Sequence, residues 1–122
     1  MATPRIVRTG PTAQYVFERG GGAIVHARLS IWSGAGTPDE KRAEVLLFED
    51  SLDSSETFTR TLPTGAYVCV LLVFVREDLN GTFNYRHVVA GKSMAKGEGD
   101  VNLSAADGEG KAARHEYGLI VE

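Results

Sequence analysis

Apolar and polar residues alternate with a period of two through most of the chain, the spacing that sends successive side chains to opposite faces of a β-strand. The clearest stretch is Ala23 to Trp32, where Ala23, Val25, Ala27, Leu29 and Ile31 interleave with Ile24, His26, Arg28, Ser30 and Trp32. One face of that strand is core and the other is mixed. Phe83 to Ala90 sets Phe83, Tyr85, His87 and Val89 against Asn84, Arg86 and Val88, and Arg114 to Val121 puts His115, Tyr117, Leu119 and Val121 on one side. Shorter strands are predicted at Tyr15 to Phe17, paired with Ile6-Val7, at Thr57 to Leu62 and at Val101 to Leu103. Leu62-Pro63-Thr64-Gly65 reads as a turn, joining Thr57 to Leu62 to the strand after it as a hairpin. Glycine clusters separate these pieces, and Gly91 to Gly99 reads as a surface loop.

Seven or eight short strands divided by turn signals predict an all-β fold, a two-layer antiparallel β-sandwich. One domain spans residues 1–122, because a chain of this length builds one core and contains no linker-like or repeated segment. A single helix signal interrupts the plan near residues 38–50. Thr37-Pro38-Asp39-Glu40 has the form of a capping box with Pro at the first helical position, and Ala43, Leu46 and Leu47 continue at helical spacing. A helix from Pro38 to about Leu52 is therefore the alternative to one helical turn at Pro38 to Lys41 followed by a strand from Ala43 to Phe48. The strand fits an all-β architecture better.

Gly65 to Val75 departs from simple alternation, being apolar on both faces: Val68, Val70, Leu72 and Phe74 on one, Tyr67, Cys69, Leu71, Val73 and Val75 on the other. A sandwich strand covers the core with one face only, so the second face needs another cover. Self-association to a homo-oligomer through Tyr67, Leu71, Val73 and Val75, with Leu46 and Phe48 beside them, is the leading expectation. The helix alternative would provide the same cover from within the chain.

Charge narrows the choice of partners. With 13 Lys and Arg against 16 Asp and Glu the net charge is −3, and no basic excess exists to attract nucleic acid. The N-terminus has no apolar core of a signal peptide and no run approaches the length of a transmembrane segment, which points to a cytoplasmic protein. Cys69, the one cysteine, lies in an apolar run and reads as a buried thiol rather than a nucleophile.

Three groups of residues carry candidate chemistry. If consecutive strands alternate in direction, the turns near residues 18–22, 49–55, 76–81 and 105–111 leave from one end, and Asp50, Asp53, Asp78 and Asn80 would offer oxygen ligands to calcium. Trp32, with Arg28 and His26 on the same strand face, could form a platform for a carbohydrate or protein ligand. His26, His87 and His115 all sit in strands without the spacing of a metal site, and read as one surface ring and two partly buried, hydrogen-bonded rings. Gly91-Lys92-Ser93 lacks the upstream glycine of a phosphate loop, and there is no Gly-x-Ser-x-Gly nucleophile elbow. These patterns favour a non-enzymatic binding or assembly module. The alternatives are a lectin-like or calcium-dependent membrane- or sugar-binding sandwich and, last, a histidine-based enzyme.

Overall fold

The strand alternation is realised, among the described residues, in nine β-strands: β1 (Ile6–Thr9), β2 (Thr12–Gly21), β3 (Ile24–Ser33), β4 (Lys41–Ser51), β5 (Ser55–Thr61), β6 (Gly65–Arg76), β7 (Thr82–Val89), β8 (Lys92–Asp100) and β9 (Lys111–Val121). The computed structural model describes residues 5–21, 24–34, 36–51, 55–76, 82–100 and 111–122. The strands form a five-stranded sheet in the order β1-β9-β6-β3-β4 and a four-stranded sheet in the order β5-β2-β7-β8, packed as a two-layer sandwich. Among the described residues every pairing is antiparallel except that of β1 with β9.

The core is the sum of the inward faces. Val25, Ala27, Leu29 and Ile31 of β3, Tyr67, Cys69, Leu71 and Val73 of β6, and Tyr117, Leu119 and Val121 of β9 meet Ala13, Tyr15 and Phe17 of β2 and Tyr85, His87 and Val89 of β7. Phe48 of β4 is central to this contact, with ring centroids 5.2 Å from Phe17, 5.3 Å from Phe58 and 6.2 Å from His87. Arg19 adds a buried polar tie between the sheets: its guanidinium donates to the Val25 carbonyl oxygen at 2.9 Å and pairs with Glu56.

Residues 38–50 form no helix. Leu46 and Phe48 are buried while Leu47 between them is exposed, the alternation of a strand, and Val45 pairs with Ser30 in the ladder to β3. The capping-box residues instead close the β3–β4 loop. The Thr37 hydroxyl donates to the Gly34 carbonyl at 2.6 Å and accepts the Asp39 N–H at 3.2 Å, while Glu40 Oε2 accepts the Gly36 N–H at 3.0 Å. Gly34 and Gly36 have φ of 64° and 81°, a left-handed conformation that glycine adopts without steric cost.

Three further expectations change. Ile6-Val7 pairs with β9 in parallel, not with β2; Arg5 and Lys92 pin it by donating to the carbonyl oxygens of Ser93 (2.6 Å) and Ile6 (3.2 Å). The Leu62–Gly65 turn joins no hairpin, since β5 and β6 belong to different sheets. Residues 92–100, expected as loop, are β8, entered from β7 through a turn at Ala90 and Gly91. The predicted strand Val101 to Leu103 lies outside the described residues.

Candidate functional site

The two outer faces differ in chemistry. On the four-stranded sheet, Thr12, Gln14 and Glu18 of β2 stand beside Thr57, Thr59 and Thr61 of β5 and Asn84 and Arg86 of β7. Thr12 and Thr61 share a hydroxyl hydrogen bond of 2.9 Å, and Arg86 pairs with Glu18 at 2.8 Å. Such a face is satisfied by water and by itself.

On the five-stranded sheet the centre of the outer face is Val68, Val70, Leu72 and Phe74 of β6. It is bordered by His26, Arg28, Ser30 and Trp32 of β3, by Arg114 and Glu116 of β9, and by Val45 and Leu47 at the β4 edge. Among the described residues the large hydrophobic side chains left exposed are Ile6 at 49 %, Leu47 at 55 % and Phe74 at 36 %, and all three lie on this face. A groove of about 430 Å³ runs over its middle, floored by Val68, Val70 and Leu72 and walled by Arg28, Trp32 and Arg114. Arg42 lies over the Trp32 ring at 5.8 Å, and Arg114 pairs with Glu116 at 2.8 Å. Arg28, in register between Leu47 and Leu72, makes no hydrogen bond or ion pair with another described residue.

The groove brings together two of the residues expected to bind a ligand, Trp32 and Arg28. His26 is on the same face, outside the groove lining, with its ring stacked on Phe74 at 4.9 Å. The expected interface residues are on the wrong side. Tyr67, Leu71 and Val73 point into the core, because the β3–β6 ladder pairs Leu71 with Leu29 and Val73 with Ala27, residues of the buried β3 face; Val75 is paired with Val25 in that ladder. The apolar face of β6 that remains outside is the alternate one. Leu46 and Phe48, placed beside that interface from the sequence, are likewise core residues.

The ladders bring the end of β2 and start of β3, the end of β4, the end of β6 and start of β7, and the end of β8 and start of β9 to one side, since Val25 pairs with Ser51 and Val75, Val75 with Lys111, Gly21 with Phe83 and Thr82 with Asp100. Of the calcium candidates, Asp50 belongs to β4, and Asp53, Asp78 and Asn80 lie outside the described residues. No group of three or more His, Cys, Asp or Glu side chains among the described residues could hold a metal ion. The three histidines are divided, His26 outside and His87 and His115 within.

His87 and His115 are buried or half-buried and hydrogen-bonded, as their spacing suggested, but their partners across the core were not foreseen. His87, fully buried, donates from Nδ1 to the Val16 carbonyl oxygen at 2.8 Å, so its Nε2 accepts from the Tyr117 hydroxyl at 2.8 Å. Tyr85 and His115 Nε2 are hydrogen-bonded at 2.7 Å. Burial lowers the His87 pKa to about 4, assisted by His115 and opposed by the Val16 bond, and burial also lowers that of His115. Burial raises Cys69 to about 12, against a lowering influence of the neighbouring Tyr117 hydroxyl, and raises Tyr117 well above its ordinary value. A thiol so placed is no nucleophile at neutral pH. The legible signal was the spacing Tyr85-x-His87 and His115-x-Tyr117 on two inward strand faces.

No helix among the described residues is long and apolar enough to cross a membrane. No protein-family model and no curated protein matches the sequence.

Proposed function

We propose that the chain is a non-enzymatic binding and assembly module in which the outer face of the five-stranded sheet meets the same face of a second copy. The supporting observation is the asymmetry between the outer faces: one is lined mainly by threonines and other polar residues, with Val16 and Val88 half-buried among them, while the other carries Ile6, Leu47 and Phe74 in the open. Exposed apolar side chains gathered on one face mark a contact site, and two-fold pairing of one face with itself is the commonest form of assembly. Arg28, which makes no hydrogen bond or ion pair with another described residue, is available to a carboxylate of the facing copy.

The test is the mass in solution by size-exclusion chromatography with light scattering, in calcium and in EDTA. Wild-type protein is expected at twice 13.1 kDa in both buffers, and Leu47→Glu and Phe74→Glu at 13.1 kDa. Both side chains are exposed in the single chain, so a charge there leaves the core intact. A wild-type mass of one chain at every concentration refutes the reading.

The groove supports a second reading, a small carbohydrate or protein ligand held by Trp32 and Arg28. Its sugar-binding form is the weaker one, because Arg42 already occupies a face of the Trp32 ring and stacking of a sugar would have to displace it.

A further inference from the structure

The interior of a sandwich this small is normally apolar, yet here two strands that face each other across the core exchange two His–Tyr hydrogen bonds. β7 contributes Tyr85 and His87, β9 contributes His115 and Tyr117, and each bond joins one sheet to the other. The pairs are reciprocal: tyrosine precedes histidine by two residues on β7, and histidine precedes tyrosine by two on β9. The alternation of both strands therefore aims all four side chains inward at once.

The tautomer of His87 follows from its partners. Its Nδ1 faces a carbonyl oxygen and must carry the proton, which leaves Nε2 as the site of any further proton. Adding one there turns the Tyr117 bond donor-to-donor unless the hydroxyl swings its proton toward Cys69, whose sulfur is a weak acceptor. Among the described residues nothing offers the resulting cation a free counter-charge. β2 presents the Val16 carbonyl and, along the same ladder, the Arg19–Glu56 pair; β4 presents Phe48; β6 presents Cys69 beside Tyr117; β8 presents Ala95; and β9 presents Tyr117 and His115. The carboxylate in that set, Glu56, is already matched to Arg19, and His115 is a second base that repels rather than pairs. An unpaired charge in such a site is relieved by admitting water, which means separating the sheets.

We infer that the reciprocal His–Tyr pairs are an acid-sensitive latch: proton uptake by His87 and His115 in mildly acidic solution opens the sandwich between β7 and β9. The latch is independent of the outer-face assembly and operates in the single chain.

Its sign follows from linkage. The unfolded chain takes up a proton at the ordinary histidine value of 6.5, whereas folded His87 resists to about 4, so stability is full above 6.5 and is lost as the pH falls toward 4. Between about pH 7.5 and pH 5, His87 by itself lowers the folded-to-unfolded ratio roughly 30-fold, in a window above the titration of ordinary carboxylates. Urea unfolding of the wild type at these two pH values should show at least that loss. The double variant His87→Leu/Tyr117→Phe removes both ends of one bond together and should lose most of the acid sensitivity. If that variant does not fold, the imidazole signals of the wild type decide: His87 should keep the neutral Nδ1–H tautomer for as long as the fold persists. A wild type equally stable at both pH values, a double variant as acid-sensitive as the wild type, or a His87 ring that protonates near 6.5 in the intact fold would each overturn the latch.

Discussion

Phe48→Ala tests the packing that joins the two sheets. The ring is 1 % exposed and touches Phe17 of β2, Phe58 of β5 and His87 of β7, three strands of the opposite sheet. Removing a buried phenylalanine costs about 3–5 kcal/mol, the sum of lost transfer energy and of a cavity that the surroundings close only in part. Here closure is hindered. The three neighbours are fixed by ladders β2–β5 and β2–β7, and Phe58 and His87 also lie on either side of β2, so none can advance alone. We therefore expect about 4 kcal/mol, a large share of the roughly 5–15 kcal/mol that holds a domain of this size folded. In urea, with a slope of about 1–3 kcal/mol/M, the midpoint should fall by at least roughly 1 M with the slope unchanged. Leu47→Ala, one residue away and 55 % exposed, is the control and should cost under about 0.5 kcal/mol at protein concentrations where single chains dominate. A Phe48→Ala cost below about 1.5 kcal/mol, or a Leu47→Ala cost equal to it, would refute the assigned facing of β4.

Two other substitutions have expected outcomes. Arg19→Met keeps much of the buried stem but leaves the Val25 carbonyl without its donor and separates Glu56 from its cation, at a cost of about 2–4 kcal/mol in urea unfolding; a change within about 0.5 kcal/mol would show that the tie is dispensable. Ala90, at φ 50°, holds the left-handed conformation that Asn tolerates better in a two-residue hairpin turn ahead of Gly91, so Ala90→Asn should raise stability by about 0.5–1 kcal/mol, and a loss of stability would count against that turn geometry.

The outer face was half legible from the residues alone. That Gly65 to Val75 is apolar on both sides, and that one side must be covered, followed from alternation; which side it is did not. Two apolar sets offset by one residue are equivalent until a neighbouring strand sets the register. The β8 strand escaped notice for a related reason. A register shift opposite His87 and Val88 pairs them with Ala95 and Ser93, so Met94 and Ala95 are both buried in succession, and the period of two is broken where a sequence pattern would look for it. The Thr37 capping signal was real hydrogen-bonding chemistry, used by a hairpin loop instead of a helix.

What the sequence determined by itself is local: strand periodicity, turn positions and hence a β-sandwich with a surplus apolar face, because side-chain direction along a strand depends only on residue spacing. The partners across the ladders and across the core were decided by tertiary structure. Pairing turned Tyr67, Leu71 and Val73 inward and left Val68, Val70, Leu72 and Phe74 outside. It also set Tyr85 and His87 opposite His115 and Tyr117, residues 30 apart in the chain, because contacts between sheets depend on which strands neighbour one another, and short-range periodicity carries no record of that.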